Sequence, residues 1–311
     1  MRARLGNQLE VFFKAYHLAR KYNAKLVYVP IDVDFSEALA KKVKLVSKKD
    51  IPPKHIPINN PQILTRMANR KNYRWPLVYD VGFDCSEYKI SDKNDIYIKE
   101  EIKELLFSCL ESSLFPEISK DCLNVGIHVR YGDGYDHPLG SQPFYNGQIL
   151  KEQSQQLPLE KRLEKGEYYL DIFRPLKAPP MQYYVDAIRI LEKLLPQEKK
   201  YFLFTDHPEK EFIADLLNSH LEKEIDFQYI DYPEDKNTED LLDLLTLSSM
   251  NVLIRPGQST FSLAAEFFTN FSYVIYPNKY QWIGNCLVMK NIEILHNGKK
   301  HSEHKMYCNI E

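Results

Sequence analysis

The stretch GIHVRYGDG, residues 126–134, ends an apolar run with charged side chains set between glycines. Successive residues of a strand point to opposite faces, so His128 and Arg130 share one face. Arg130 offers a planar fork that grips a phosphate through two hydrogen bonds, and Gly132 lets the backbone turn close to a ligand. We expect an anion-binding strand end here. The alternative is a solvent-facing strand end where Arg130 forms a salt bridge with Asp133.

A second group of polar residues lies in VLIRPGQSTFSLAAEFF. A Pro-Gly turn follows the strand that ends at Ile254, and Ser259, Thr260 and Ser262 lie where the next helix must begin. The first turn of a helix has unpaired N–H groups and the positive end of the helix dipole, which together bind anions. We expect a second anion site here. The alternative is an ordinary Ser or Thr N-cap.

A third group is FLFTDHPEKE. Asp206, followed by Pro208 and Glu209, has the pattern of a helix N-cap. It also lies at the carboxyl end of a predicted parallel strand, where ligand contacts accumulate in open α/β sheets. A cap and a ligand contact are both compatible with this sequence.

Near the start of the chain, the stretch ARLGNQLEVFF places Gly6, Asn7 and Gln8 just before an amphipathic helix. This pattern predicts a helix cap, but the two amides also offer the neutral donors and acceptors that orient sugar hydroxyls. Glu10 lies one helical turn after Asn7 and is either an acid of the site or an ordinary solvent-facing helix residue.

The elements that must position these residues alternate between strands and helices along the chain. Helices of ten or more residues between strands indicate parallel βαβ units, so the fold class is α/β. The length of 311 residues suits two domains, which we place at 1–120 and 121–311, facing a cleft. The polar segment at about 134–179 is long for a βα connection and predicts a lid or an insertion beside the cleft.

Composition excludes several classes of function. The chain has 41 Lys and Arg against 43 Asp and Glu, a net charge of −2, which argues against nucleic acid as a partner. No apolar run approaches the roughly 20 residues of a membrane helix, and the N-terminus lacks the apolar core of a secretory signal. We therefore expect a cytoplasmic protein without a membrane-spanning segment. Its five cysteines form no CxxC pair, which favours free thiols.

Taken together, the motifs resemble those of the GDP-fucose-dependent fucosyltransferases. LGNQL, HVRYGD, FTD and EDLLDLLTLSSMNVLIRPGQSTFSLAAEF follow one another from residue 4 to residue 268 in the order of that family. The set is most similar to the α1,2-fucosyltransferases, and the GNQ triplet and HxR block are also similar to those of protein O-fucosyltransferases. The resemblance implies a glycosyltransferase of the GT-B type with two Rossmann-like domains. Such an enzyme inverts the anomeric centre of fucose and needs no metal or cofactor.

The resemblance also implies roles for the residues. GDP-fucose is the donor substrate and a hydroxyl of a glycan is the acceptor. Arg130 and the helix start at Ser259 and Thr260 face the diphosphate, and His128 and Asp206 face guanine. Asp133 and Glu10 are the two acids that the sequence itself places nearest, so we expect one of them to take the acceptor proton, unless Asp133 only orients Arg130, and we expect Asn7 to position the acceptor. Segment 134–179 contributes to acceptor selection. Further substrate or nucleotide contacts are expected from Gly6, Gln8, Gln258, Phe261 and Ser262.

The sequence departs from the α1,2 pattern in three ways, one of which is the greater length of the segment between HVRYGD and MQYYVDAI. Tyr131 stands where that family has a second arginine, and Leu263 and Ala264 replace paired tryptophans. These differences leave open a fucosyltransferase of another linkage, a protein O-fucosyltransferase or a non-catalytic sugar-binding relative.

Two metal sites are alternatives to a metal-independent reaction. The DxD triplet at Asp32 and Asp34 offers two carboxylates that can hold Mg²⁺ or Mn²⁺ beside a nucleotide diphosphate. His301 and His304 near the C-terminus offer two zinc ligands without a second pair, so we expect a solvated polar tail there instead.

Overall fold

The protein was analysed as a computed structural model, which describes residues 5–25, 51–58, 66–67, 77–79, 95–130, 176, 179, 181–230, 232, 239–283 and 286–305. Its elements in chain order are α1 (Leu5–Lys21), β1 (Ile56–Ile58), β2 (Leu77–Tyr79), α2 (Asp95–Phe107), a 3₁₀ turn (Ser112–Leu114), β3 (Leu123–Val129), α3 (Met181–Leu194), β4 (Lys199–Thr205), α4 (Lys210–Asn218), β5 (Phe227–Gln228), α5 (Glu239–Leu247), β6 (Val252–Ile254), α6 (Thr260–Phe268), β7 (Tyr273–Ile283), β8 (Cys286–His296) and β9 (Lys299–Lys305).

The chain divides into two compact units. The first contains Met1–Phe115 and Tyr232–Leu245, and the second contains Pro116–Asp231 and Thr246–Glu311. The domain boundary predicted from the sequence, between residues 120 and 121, assigned all of residues 121–311 to the second domain. The structure instead groups Tyr232–Leu245, which includes most of α5, with the first unit.

In the first unit, α1 confirms the amphipathic helix predicted near the start of the chain. Its buried apolar stripe begins at Leu5 and continues through Leu9 and Phe12, so the helix starts one turn earlier than the LGNQ pattern suggested. Gly6, Asn7 and Gln8 therefore lie within the first turn of α1 and not before it. The Tyr16 hydroxyl on α1 donates a 2.8 Å hydrogen bond to Glu101 of α2.

The second unit is built on a seven-stranded sheet of order β5-β4-β3-β6-β7-β8-β9. The strands from β5 to β7 are parallel, which confirms the predicted run of βαβ units. β8 and β9 are antiparallel additions beyond β7, so the sheet is mixed and not doubly wound throughout. The α/β class is confirmed.

The hairpin of β8 and β9 is an element that sequence analysis missed, and it replaces the solvated tail expected there. Asn297 and Gly298 form its two-residue turn with φ of 48° and 73°. Positive φ at both turn residues suits the right-handed twist of a hairpin, and Asn-Gly is its strongest local signal. His301 and His304 therefore lie on a strand, with both side chains exposed.

One core holds the second unit together. β3 contributes Val125, Ile127 and Val129, all inaccessible to solvent, and α3 packs its apolar face over them. That face includes the buried Tyr183 and Tyr184. Both faces of β3 are covered, because Asn124 and His128 on its opposite face are buried as well.

Gly126 in the middle of β3 allows close packing of the end of α5 and of the residues that follow it. A Cβ atom at this position would lie 2.5 Å from Leu247 Cδ1 and 3.0 Å from Met250 Cγ. Both side chains are buried, so neither can move aside freely. We expect Gly126→Ala to lower the free energy of unfolding by about 1–3 kcal/mol, the usual result of overpacking a core. Urea denaturation measures this difference, and a free energy within about 0.5 kcal/mol of wild type would contradict it.

None of the helices in the described ranges combines the length and apolar character needed to cross a membrane. Cys109 and Cys122 are free thiols, as the spacing of the cysteines predicted for the chain.

Candidate functional site

The sheet order creates a switch point beside β3. From β3 the chain moves to β4 and β5 on one side, and then returns to β6 on the other side of β3. In open α/β sheets a crevice for ligands forms beyond the carboxyl ends of the two strands where the order reverses. The carboxyl end of β3 leads to Arg130 and that of β6 leads to the Pro-Gly turn, so two of the predicted anion sites lie at this edge.

Arg130 and Asp206 form an ion pair across the ends of β3 and β4. Arg130 Nε lies 3.2 Å from Asp206 Oδ2, and the two side chains are only 12% and 21% exposed. The predicted N-cap role of Asp206 is wrong, because α4 begins at Lys210 with Glu209 at the N-cap position. The carboxylate instead lies against the guanidinium. This contact orients Arg130 at the strand end before any ligand arrives.

His128 and Phe261, two of the predicted site residues, are also in contact. His128 is 5% exposed, and its ring centroid lies 5.2 Å from that of Phe261 on α6. The contact connects the polar face of β3 to the first turn of α6.

The turn between β6 and α6 is tightly built. A Cβ atom at Gly257 would lie 2.4 Å from the carbonyl oxygen of Pro277, a backbone atom, so only glycine fits there. The next amide, of Gln258, donates a 2.9 Å hydrogen bond to the carbonyl of Leu176. These contacts fix the chain just before the helix begins.

Ser259 ends this turn at the N-cap position of α6 without making a side-chain cap hydrogen bond. It is 3% exposed, and its Oγ has no hydrogen-bond partner among the residues that the structure describes. A buried hydroxyl without a partner is costly and needs an explanation. The ordinary cap considered from the sequence does not supply one, because its hydrogen bond is not made. A ligand at the start of α6 would satisfy the hydroxyl.

The other residues predicted to contact the substrate or nucleotide differ from Ser259 in burial or in hydrogen bonding. Ser262 is fully buried and its Oγ donates a 3.4 Å hydrogen bond to the carbonyl of Ser259, so this hydroxyl already has a partner within α6. Gln258 and Thr260 are half-buried beside Ser259. Gly6 is buried in α1 of the first unit.

Several predicted residues lie outside the described parts of the chain. They include Tyr131, Asp133, the DxD residues Asp32 and Asp34, and nearly all of segment 134–179. Asn7, Gln8 and Glu10 belong to α1, but their side chains are not among those described. Within the described ranges, no three His, Cys, Asp or Glu side chains come together as a metal site requires.

Sequence analysis missed the pair of charged residues next to the turn between β6 and α6. Arg255, at the end of β6, is 4% exposed and forms an ion pair with Glu266 of α6. Its guanidinium carbon lies 4.4 Å from the centre of the Tyr276 ring on β7. A signal was present in VLIRPG, where one arginine interrupts an apolar run. A charge in such a place is either exposed or paired inside.

Tyr276 gives this buried network a dependence on pH. Burial, a 2.9 Å hydrogen bond to Glu293 and the charge of that carboxylate raise the pKa of Tyr276 from 10.0 to about 12, although Arg255 acts in the opposite direction. A raised pKa means that the neutral hydroxyl stabilises the folded state below pH 10.0, and that this contribution is lost as the pH approaches about 12.

We expect the stability difference between the wild type and Tyr276→Phe to be constant below pH 10.0 and to shrink between pH 10.0 and about 12. Urea denaturation at a series of pH values measures it. A difference that grows over this interval would contradict the assigned direction.

The chain has the fold of a solved fucosyltransferase. A structure of NodZ alpha-1,6-fucosyltransferase soaked with GDP-fucose superposes with a TM-score of 0.51 at 13% sequence identity, covering 96% of this chain and 97% of that one. At this identity the likeness shows the fold.

Two further structures are similar at lower scores. NodZ from Bradyrhizobium gives a TM-score of 0.47 at 14% identity over 96% of this chain and 97% of that one. POFUT1 in complex with GDP gives 0.42 at 15% identity over 86% and 92%. No protein-family model matches the sequence, and no curated protein matches it.

Proposed function

We propose that this protein is a fucosyltransferase that uses GDP-fucose as donor and a glycan hydroxyl as acceptor, with inversion at the anomeric carbon and without a metal ion. The observation that carries the proposal is the switch point itself. There Arg130, oriented by Asp206, ends β3, and the buried Ser259 hydroxyl without a described partner starts α6. A fold shared with a fucosyltransferase supports the choice of sugar nucleotide.

The proposed chemistry follows from where charge develops. As the bond between C1 of fucose and the β-phosphate breaks, negative charge builds on GDP. Arg130 and the N-terminal N–H groups of α6 are positive groups fixed in place beforehand, and such groups stabilise charge in a transition state without reorganising. They supply the positive charge that a divalent cation supplies in other transferases, which is why we propose a metal-independent reaction.

The nucleoside is proposed to lie next to the diphosphate. His128, packed against Phe261, and Asp206, at the end of β4, are the candidate contacts for guanine. In doubly wound sheets the crevice beyond these strand ends takes the nucleotide. Gln258 and Thr260 flank Ser259 as further candidates.

The proposals for acceptor binding and for the linkage formed depend on the sequence motifs. We propose a GT-B-type arrangement in which the first unit binds the glycan through Asn7 and Gln8, because Gly6 is buried within α1. The order of the four motifs from LGNQL to STFS favours an α1,2 linkage, whereas Tyr131, Leu263 and Ala264 depart from the pattern of that family. Digestion of the product with linkage-specific glycosidases tests this linkage. An α1,6 or a protein-linked product would contradict the α1,2 linkage but would still support fucose transfer.

The base that removes the acceptor proton is proposed to be Asp133, with Glu10 as the second candidate. The pH profile of kcat/KM for Asp133→Asn and Glu10→Gln tests both, because replacing the base removes the acidic limb of the profile. If both variants retain that limb, another group is the base.

The test of the proposed function is a nucleotide screen in EDTA. GDP and GDP-fucose should raise the melting temperature, since a ligand at 100 times its Kd adds about 2.7 kcal/mol to stability, and UDP-sugars should not. Transfer or slow hydrolysis of GDP-fucose in EDTA should accompany binding. Tight binding without any turnover would favour the non-catalytic relative, restoration of activity by Mn²⁺ would favour the DxD alternative, and a preference for UDP-sugars would overturn the proposal.

A further inference from the structure

Arg255 immediately precedes the Pro256–Gly257 turn that leads to Ser259 at the start of α6. Its side chain is buried at the end of β6 and forms an ion pair with Glu266. Its Nη1 donates hydrogen bonds of 2.8 Å to the carbonyl of Pro256 and 3.1 Å to that of Gly257. One guanidinium thus contacts both the turn and α6.

The backbone of Arg255 is held as firmly as its side chain. Its N–H donates a 3.0 Å hydrogen bond to the carbonyl of Ile275 on β7. The Tyr183 hydroxyl of α3 lies 2.8 Å from the carbonyl of Arg255 and 2.9 Å from that of Ile275, so its hydrogen is shared between them. Burial raises the pKa of Tyr183 well above its usual range, which keeps this hydroxyl protonated as a donor.

Stability alone does not account for this arrangement. Removing two charges from water costs about as much as their attraction returns, so a buried ion pair is often no better than apolar residues of the same volume. The hydrogen bonds of Arg255 do have a geometric effect. The peptide group is planar and trans, so a carbonyl of Pro256 turned toward Arg255 directs the N–H of Gly257 to the opposite side of the turn.

We propose that Arg255 is a positioning residue for the donor diphosphate. It holds Pro256 and Gly257 in the conformation that places Ser259 at the start of α6, and Glu266 fixes the guanidinium from the helix side. This inference rests on the proposed function of the same site. Arg255 itself is buried and acts through the turn.

Two substitutions test the inference. Glu266→Gln keeps the shape of the side chain but removes the ionic partner of Arg255. Arg255→Lys keeps the charge but cannot reach two carbonyls, Glu266 and the Tyr276 ring at once. Each should weaken the binding of GDP by about tenfold, the effect expected of a residue that acts on a ligand through its neighbours. Neither should change the binding of guanosine, which lacks the phosphates.

Glu192→Gln is the matched control. Glu192 pairs with the buried Lys199 at 3.1 Å and accepts a hydrogen bond from Tyr201, at the opposite end of β4 from the site. It should lower the melting temperature without changing the affinity for GDP. The inference fails if Glu266→Gln weakens GDP and guanosine equally, or if it behaves like Glu192→Gln.

Binding of inorganic pyrophosphate separates this inference from the proposed function. A wild-type protein that binds pyrophosphate but not GDP would contradict the nucleotide assignment, and the same variants would then test Arg255 with pyrophosphate as the probe. A wild-type protein that binds neither would overturn both proposals.

Discussion

Arg130→Gln is expected to lower kcat/KM for fucose transfer by 100-fold or more. The guanidinium is the positive group at the end of β3, and the loss of one fixed donor to a developing oxyanion typically costs about 2.7 kcal/mol or more of transition-state stabilisation. The substitution also leaves the Asp206 carboxylate, 21% exposed, without this partner. A loss of stability therefore accompanies the loss of rate, and steady-state kinetics together with urea denaturation measures both.

A double variant separates the two effects. Arg130→Gln with Asp206→Asn removes both charges, and replacing both partners of a pair is far less costly than removing one. It should recover most of the stability of the wild type while remaining at least 100-fold less active. Recovery of activity together with stability would show that Arg130 only supports the fold.

Arg189→Gln is the control for the loss of an arginine ion pair. Arg189 pairs with Asp186 at 3.5 Å within α3 and is 41% exposed. Its removal should leave kcat/KM unchanged. Near-normal turnover of Arg130→Gln as well would contradict the assignment of Arg130.

Ser259→Ala is expected to have opposite effects on activity and stability. In the free protein the buried Ser259 hydroxyl has no hydrogen-bond partner among the described residues, so its removal relieves an unsatisfied group and the melting temperature should stay constant or rise. If the hydroxyl binds the phosphate as charge develops, its loss should lower kcat/KM for GDP-fucose by about 100-fold. Thermal denaturation and steady-state kinetics on one preparation measure both quantities.

Thr246→Val provides the matched control. Thr246 is fully buried, and its Oγ1 likewise has no hydrogen-bond partner within the described ranges. Its replacement by an isosteric apolar side chain should keep or raise the melting temperature and leave transfer unchanged. A lower melting temperature for Ser259→Ala, with activity retained, would indicate that the hydroxyl has a structural partner and no role in phosphate binding.

The parts of the fold that local patterns encode were predictable from the sequence. β3 was predicted at its observed bounds, Leu123–Val129, because its apolar residues alternate with Asn124, Gly126 and His128, the period-2 pattern of a strand. α3 was predicted for the corresponding reason, since its buried residues recur at helical spacing. Parallel strands place their carboxyl ends at one edge of the sheet. This was enough to bring Arg130 and Ser259 to one edge of the sheet.

The parts that depend on distant partners were not predictable. Asp206 has every local mark of an N-cap, but its carboxylate lies against Arg130, which is remote in sequence. Local preference yields to tertiary contacts in such cases. Arg255 is explained only by Glu266 and Tyr276, which the fold alone brings to it. β8 and β9 are a different case, because the Asn297–Gly298 hairpin turn is a local signal that sequence analysis overlooked.

The hairpin after β7 also determines which strand of the sheet meets other molecules. Without it, the edge would be Tyr273–Ile283, a strand of 11 residues with the buried Val274 and Ile275 near its start. Long apolar edges pair readily with strands of other chains, and natural proteins avoid this with charged edge strands. β9, with the sequence KKHSEHK, is such a strand. A truncation after residue 285 would therefore remove a barrier to aggregation, even though it leaves Arg130 and Ser259 in the chain.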